Sequence, residues 1–312
     1  MSDTYELLVD GLQQVADEVV AVTLVDPDGA LLPAWKPGAH VEVVLGEHVR
    51  HYSLCGSPAE RGRYRLGVLR EPAGHGGSEY VHTRLRVGDR LTVGEPRNQF
   101  PVVTGDRYVF IAGGIGITPL LPMIAQVDRA GFPWRLLYGG RRLSAMAFRP
   151  ELERYGDRVR FWPQDVHGHP DLASWMDVAP GTRIYACGPE PLLEAVQRRG
   201  RLLGGSTVHI ERFAPRVDTS AGPHREFELV CTASERTLTV GADESMLDAM
   251  IRAGIDVNHD CRQGTCGTCE LDLIDGAAVH LDSVVDPDDP ERDAVIFPCV
   301  SRARDARLVV DI

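Results

Sequence analysis

Four cysteines near the carboxyl end constrain the fold of this 312-residue chain more than any other feature. Three of them form the spacing Cys261-x4-Cys266-x2-Cys269, and Cys299 follows after 29 intervening residues. A two-iron cluster needs two thiolates on each iron, and this spacing is typical of [2Fe-2S] centres. Small residues between the cysteines let the loop curl, so that backbone N–H groups approach the sulfur atoms. The spacing therefore predicts that these four thiolates hold a [2Fe-2S] cluster.

A structural zinc site is the alternative for the same cysteines. Zinc sites usually present paired Cys-x2-Cys knuckles and need no glycine-lined loop, which favours the cluster. The other cysteines, Cys55, Cys187 and Cys231, stand alone in the sequence. The amino terminus lacks a basic segment followed by an apolar block, so we expect a cytoplasmic protein with no disulfide framework.

The net charge of −12 lies entirely in the last part of the chain. Residues 226–312 hold 19 acidic and 7 basic side chains, whereas residues 1–225 hold 26 of each. This balance disfavours nucleic acid and suits docking on a basic protein, although a merely solubilising surface would look the same. No apolar run is long enough to cross a bilayer, so no membrane association is expected.

Changes in the local pattern of apolar and turn-forming residues along the chain predict three domains. Residues 18–104 alternate short β-rich runs with Pro, Gly and Asp, which is typical of an antiparallel β-barrel, so residues 1–104 are predicted to be a barrel domain with one helix at Ser78–Leu85. Residues 105–213 alternate strand, glycine turn and helix, which predicts a doubly wound parallel α/β domain. Residues 214–225 are rich in turn formers and are predicted to be a linker. Residues 226–312 resemble plant-type ferredoxins, which implies a β-grasp domain.

Two motifs in the barrel segment offer groups that can bind a phosphate and an aromatic ring. Arg50-His51-Tyr52-Ser53 ends a strand, and the glycine-rich stretch Gly74–Ser78 introduces a helix. Backbone N–H groups at a helix start bind phosphate, and the arginine can add a bidentate contact. The tyrosine offers a flat surface to an aromatic ring, and the serine offers a hydroxyl. Each motif alone is more typical of a strand-end tyrosine or a flexible glycine turn than of a binding site.

Together the two motifs resemble the Arg-x-Tyr-Ser and Gly-x-Gly-Gly-Ser motifs of the phthalate dioxygenase reductase branch of the ferredoxin-NADP reductase superfamily. The resemblance implies a flavin-binding barrel with FMN as the flavin and its terminal phosphate at the glycine loop. It also implies that Gly67-Val68-Leu69 lies on a strand that lines the flavin. The FMN-binding residues expected from it are Arg50, His51, Tyr52, Ser53, Gly67, Val68, Leu69, His75, Gly76, Gly77 and Ser78.

A second pair of motifs resembles the nicotinamide site of the same superfamily. The first contains Gly113, Gly114, Gly116, Thr118 and Pro119, and the second is Cys187-Gly188-Pro189. The first motif makes a tight turn into a helix, with Thr118 as the predicted cap, that can hold a pyrophosphate. We expect NADH, although Arg141 and Arg142 could meet the 2′-phosphate of NADPH. The resemblance also implies that Glu211 and Phe213 approach the flavin; a core phenylalanine is the alternative for the second.

The resemblance covers nearly the whole chain and implies an NADH-dependent iron-sulfur flavoprotein oxidoreductase. Electrons would pass from NADH through FMN to the [2Fe-2S] cluster, and then to a partner oxygenase of the Rieske or cytochrome P450 kind. No catalytic acid, base or nucleophile is expected, and the chain is expected to be a monomer. A self-sufficient ferric or flavin reductase and a non-catalytic iron-sulfur redox sensor are the alternatives.

Overall fold

The structure is a computed structural model that describes residues 4–72, 74, 76–203, 207–213, 224–259, 261–285, 289 and 291–312. It divides into two compact units, Met1–Glu211 and Arg212–Ile312. Most of the predicted linker, residues 214–223, lies outside the described residues. None of the described helices has the length and apolar character that a membrane span requires.

The first sheet of the first unit is an antiparallel barrel. Its elements are β1 (Thr4–Ala16), β2 (Val19–Val25), β3 (Ala39–Leu45), β4 (His48–Ser53), β5 (Tyr64–Leu69), α1 (Gly77–Thr83), β6 (Arg90–Gly94) and β7 (Arg97–Asn98). The strand order is β4-β3-β6-β1-β2-β5, and β7 pairs with β3. An antiparallel bridge between Leu54 and Leu66 joins the two ends of this order, which closes the sheet. The predicted antiparallel barrel with one helix is confirmed.

The second sheet of the first unit is parallel and has helices between its strands. Its elements are β8 (Arg107–Gly113), α2 (Ile117–Arg129), β9 (Trp134–Gly140), α3 (Arg149–Glu153), β10 (Val159–Pro163), α4 (Gln164–His167), α5 (Leu172–Trp175), β11 (Thr182–Cys187), α6 (Glu190–Gly200) and β12 (Thr207–Glu211). The strand order β10-β9-β8-β11-β12 reverses at β8, as in doubly wound folds. Ligands bind such sheets at the carboxyl ends of the strands on either side of the reversal.

The barrel and the parallel sheet share a hydrophobic core, which explains why they form one compact unit. Val19, Ala21 and Cys55 of the barrel segment pack in the same buried cluster as Phe110 and Ile117 of the parallel sheet segment. The predicted boundary at residue 104 falls between β7 and β8 and stays a prediction.

The second unit is a mixed sheet with one described α-helix, as the β-grasp prediction requires. Its elements are β13 (Phe227–Cys231), β14 (Arg236–Val240), α7 (Met246–Arg252), β15 (Leu271–Asp275), β16 (Ala278–Val279), β17 (Val295–Ile296), β18 (Arg302–Ala303) and β19 (Arg307–Val310). The main order is β14-β13-β19-β15-β17, with β13 and β19 parallel. Ser245 caps α7 by accepting a hydrogen bond from the Asp248 N–H. Met246, Met250 and Phe297 are buried in the core.

Candidate functional site: two cofactor loops and a cysteine loop

The two predicted flavin motifs meet in the structure. Arg50 lies on β4, and its side chain crosses Gly77 at the start of α1, where a β-carbon would come within 2.6 Å of Arg50 Cγ. Gly76 precedes the helix with a φ of 83°, a left-handed conformation that favours glycine. The arrangement places a guanidinium beside the N–H groups at a helix start, and this donor set fits a phosphate.

Polar side chains near the end of β4 complete the predicted flavin strand. Ser53 is buried, and burial raises the pKa of Tyr52 to about 12, so the tyrosine stays protonated at neutral pH. Nε2 of His51 lies 4.0 Å from Oε2 of Glu42 on β3. His75 of the predicted set lies outside the described residues.

The flavin strand β5 lies against the nicotinamide motif, a proximity that sequence reasoning did not anticipate. A β-carbon on Gly67 would lie 2.7 Å from Cγ2 of Thr118 and 3.1 Å from Cε2 of Phe148. Next to it, Val68 is buried and its carbonyl lies 3.0 Å from His82 Nε2. Glycine at position 67 thus permits the close approach of the barrel to the first turn of α2.

The two predicted nicotinamide motifs meet at the carboxyl ends of β8 and β11. These neighbouring parallel strands pair Ala112 with Cys187. A β-carbon on Gly116 would overlap the carbonyl of Cys187, and one on Gly188 would lie 2.8 Å from Cα of Gly113. Only glycine lets the two turns approach so closely, and the edge they form is where a dinucleotide binds in such sheets.

The predicted cap of α2 was wrong. The helix begins at Ile117 with Gly116 as its cap, because a 3₁₀ turn over Gly114–Gly116 leads directly into it. Thr118 lies inside the first turn, and its hydroxyl donates to the carbonyl of Ile115 at 3.0 Å. Pro119 lies in the first turn, as predicted.

Glu211 lies beside Cys187, because β12 pairs with β11 in a register that joins these two residues. Oε2 of Glu211 is buried and has no hydrogen-bond partner among the described residues. Burial raises the pKa of this carboxyl from 4.5 to about 8, and burial together with Glu211 raises the pKa of Cys187. Such a carboxyl is neutral at pH 7. Phe213 belongs to the second unit and is 45% exposed.

The raised pKa of Glu211 predicts a pH-dependent stability that Glu211→Gln removes. The unfolded carboxyl ionises near pH 4.5 and the folded one near pH 8, so this group's contribution to the free energy of unfolding is complete below pH 4.5 and is lost as the pH rises through 8. We expect the free energy of unfolding of wild type to fall, relative to that of E211Q, by ~1 kcal/mol or more from pH 5 to pH 9. Thermal unfolding across this range measures it, with the exposed Glu194→Gln as control. Equal pH slopes for E211Q and wild type would contradict the assignment.

The structure brings the four predicted cluster ligands together. Cys266, Cys269 and Cys299 are buried and Cys261 is partly exposed. Sγ of Cys269 lies 3.3 Å from Sγ of Cys299, and hydrogen bonds from Cys266 and Cys299 lower the pKa of Cys261. Four converging sulfur atoms with one ligand near the surface fit a [2Fe-2S] cluster placed for electron exchange.

Backbone donors support the Cys261 sulfur. The N–H groups of Gln263 and Thr265 donate to it at 3.3 and 3.4 Å. Gly264 and Gly267 have φ values of 67° and 75°, which supply the curl that the sequence predicted. Cys231 lies on β13 in the core of the unit, away from the loop in sequence, as predicted for a core residue.

Sequence reasoning missed one set of residues between the two sheets of the first unit. Arg65 on β5 makes a bidentate ion pair with Glu151 on α3, at 2.7 and 2.8 Å. The Arg65 guanidinium also lies 5.0 Å from the ring centroid of Phe148, whose φ of 58° is unusual for a bulky residue. No motif marks these residues, because they meet only after the barrel and the parallel sheet pack together.

Comparisons with known proteins agree with this geometry. Residues 230–304 match the family model described as a 2Fe-2S iron-sulfur cluster binding domain. The carnitine monooxygenase reductase subunit of Escherichia coli K12 is 34% identical over 325 residues, which covers 100% of both chains. The solved structure of phthalate dioxygenase reductase matches with a TM-score of 0.74 and 34% identity, and the match covers 99% of this chain and 98% of that one. The chain belongs to the phthalate dioxygenase reductase family.

Members of this family combine flavin and nucleotide domains with a ferredoxin domain, and this chain follows that order. A self-sufficient cytochrome P450 monooxygenase matches with a TM-score of 0.86 and 38% identity over 99% of this chain. This chain spans only 41% of that longer protein. FMN, a [2Fe-2S] cluster and NADH are the cofactors that family membership assigns to this chain.

Proposed function

We propose that this protein is the reductase component of an oxygenase system and passes electrons from NADH through FMN and a [2Fe-2S] cluster to a partner oxygenase. The convergence of Cys261, Cys266, Cys269 and Cys299 carries the proposal, because a [2Fe-2S] cluster takes electrons one at a time and suits transfer to another protein. The reductase names of its relatives support the same role.

The chain's own residues bind and position the cofactors. When bound, FMN accepts the two electrons of a hydride and releases them singly, which suits a one-electron cluster. The Arg50 guanidinium and the backbone N–H groups near Gly77 would hold the phosphate of FMN. The turns that contain Gly113, Gly116 and Gly188 would bind the dinucleotide, since these glycines carry no side chain to obstruct it. No acid or base is needed for this transfer, so the residues act by orientation.

NADH is favoured over NADPH by the surroundings of Arg142. Its Nε donates to Oδ2 of Asp17 at 3.0 Å, and Ser144 donates to the same oxygen. Arg142 would have to give up this ion pair to meet a 2′-phosphate, which supports NADH as the nucleotide.

Arg50→Gln is expected to weaken FMN binding by roughly 10-fold to 100-fold, because a charge-assisted contact to phosphate is lost. Fluorescence titration of the FMN-free protein with FMN measures the change. Arg70→Gln is the matched control, since Arg70 follows β5 and pairs on the surface with Glu79 of α1, the helix that begins at Gly77. Unchanged FMN affinity in R50Q would remove Arg50 from the site.

An oxygenase of the Rieske or cytochrome P450 kind is the proposed acceptor, docking transiently on the acidic second unit of a monomeric, cytoplasmic protein. The carnitine monooxygenase and P450 relatives support this class of partner. The excess of 19 acidic over 7 basic residues in 226–312 gives the docking unit its charge. Long-range attraction of this kind speeds association and is screened by salt.

Electron delivery to a basic protein should therefore fall several-fold between about 0.05 and 0.5 M NaCl. Reduction of cytochrome c under NADH measures this, with a small neutral quinone as the control acceptor. A rate that does not change with salt would assign the acidic surface to solubility alone.

The central test is the composition and activity of anaerobically purified protein. We expect bound FMN, two irons and two acid-labile sulfides per chain, together with rapid NADH-dependent reduction of cytochrome c. Colourless protein, or zinc without acid-labile sulfide, would overturn the proposal.

A further inference from the structure

A charged cluster is buried in the second unit beside the cysteine loop. Asp282 is fully buried, and the side chains of His280 and Arg292 are 7% and 12% exposed. Charged side chains are seldom buried without a specific reason, because removing them from water costs free energy. The predicted ligand set uses none of these three residues.

Asp282 holds a turn that is joined to the cysteine loop. Its Oδ2 accepts hydrogen bonds from the N–H groups of Val284 and Val285, at 3.2 and 3.1 Å. The N–H of the next residue, Ser283, donates to the carbonyl of Gly264 at 2.7 Å. The turn and the loop are therefore connected through their backbones.

Gly264 is the point at which this connection reaches the cluster ligands. A β-carbon at this position would lie 2.5 Å from Val300 Cγ2 and 3.1 Å from Asp282 Cα, so the loop packs tightly on the turn. The flanking residues, Gln263 and Thr265, are those whose N–H groups donate to Sγ of Cys261. Fixing Gly264 thus fixes two donors to a cluster ligand.

Arg292 compensates the charge of Asp282 and also binds the backbone of the turn by hydrogen bonds. One of its nitrogen atoms lies 3.7 Å from Asp282 Oδ1, and the guanidinium donates to the carbonyls of Val285 and His280 at 2.6 and 3.4 Å. Asp282 Oδ1 has no hydrogen-bond partner among the described residues. Burial and Arg292 lower the pKa of His280, so this imidazole is neutral at pH 7. Oδ1 of Asp293 lies 3.4 Å from His280 Nε2, but this side chain is 94% exposed and screened by solvent, so the buried opposed charges are those of Asp282 and Arg292.

We infer that Asp282 and Arg292 form a charge-compensated brace that positions the cysteine loop and sets the reduction potential of the cluster. The inference rests on the proposed function only in taking the cluster to be bound. Reduction adds one negative charge to the cluster, and nearby charges and hydrogen bonds to sulfur are the protein's main means of setting its potential. These are positioning residues, since neither is a ligand.

Opposite shifts from the two single variants are the signature of this brace. Asp282→Asn keeps an oxygen acceptor for the two N–H groups but removes the anion, so the unbalanced arginine should raise the potential. Arg292→Gln leaves the buried carboxylate unbalanced and should lower it. The double variant should return towards the wild-type potential, because the two charge changes cancel.

Redox titration of the cluster followed by its visible absorption measures the potentials in the holoprotein. Glu228→Gln and Arg307→Gln are matched controls, because these residues form an exposed ion pair at 3.1 Å in the same unit, with side chains 51% and 57% exposed. Solvent screens this pair, so its variants should shift the potential far less than D282N and R292Q. The electron paramagnetic resonance spectrum of the reduced cluster should change in D282N and R292Q and stay constant in the controls.

Shifts of the same sign in D282N and R292Q, or shifts no larger than those of the controls, would overturn the inference. If D282N binds no cluster, R292Q decides alone, because it retains both hydrogen bonds to Asp282 Oδ2; a potential that is not lowered then overturns it. Wild-type protein without a [2Fe-2S] cluster would instead refute the proposed function, so the two failures are distinct.

Discussion

Replacing Cys299 with alanine is expected to lower NADH-dependent reduction of cytochrome c by roughly 100-fold or more, because the cluster loses one of its four thiolates. Sγ of Cys299 lies 3.3 Å from that of Cys269, so the substitution removes one of the four converging sulfur atoms. NADH oxidation with ferricyanide, which can take electrons directly from flavin, should be largely retained. Stopped-flow absorption at flavin and cluster wavelengths shows whether the variant has lost reduction of the cluster or reduction of the flavin.

Cys231→Ala is the matched control for this experiment. Cys231 is a buried cysteine of the same unit on β13, with no role in the cluster proposal. The control reports the cost of removing a core thiol, and its iron content should stay at the wild-type value. Full cytochrome c reduction by Cys299→Ala would favour the self-sufficient flavin reductase over the oxygenase component.

Gly116→Ala is expected to reduce kcat/KM for NADH by roughly 10-fold to 100-fold, since the new methyl group would overlap the Cys187 carbonyl. The contact is with backbone, so the ends of β8 and β11 must separate and the two nicotinamide motifs must move apart. Overpacking of this kind also costs about 1–3 kcal/mol of stability. Steady-state kinetics and thermal unfolding measure the two effects.

Gly62→Ala controls for the loss of a glycine alone. A β-carbon at position 62 meets nothing within 4 Å, and its φ lies outside the left-handed range. FMN content should be unchanged in both variants, because the phosphate loop lies in the barrel. A Gly116→Ala enzyme with wild-type kinetics would show that the two turns need not be in contact during turnover.

Several features of the site follow from local sequence and were predicted correctly. The cysteine spacing identified four residues that converge: Cys261, Cys266 and Cys269 share one short loop, and Cys299, after 29 intervening residues, completes the four-thiolate pattern of a [2Fe-2S] site. The strand, turn and helix alternation predicted the parallel sheet, because hydrophobic periodicity is a local property. The Thr118 cap failed because a 3₁₀ turn ends at Gly116 and moves the helix start towards the amino terminus.

The sequence by itself predicted which cysteines bind the cluster and showed which turns are glycine-lined, since cysteine spacing and glycine positions are read directly along the chain. Only the tertiary structure decided which distant residues meet: Arg65 with Glu151, 86 positions apart, and Asp17 with Arg142, 125 apart. It also decided that Asp282 lies buried against Gly264. Such pairs are fixed by how sheets and loops pack, and packing brings together residues whose spacing along the chain carries no periodic signal.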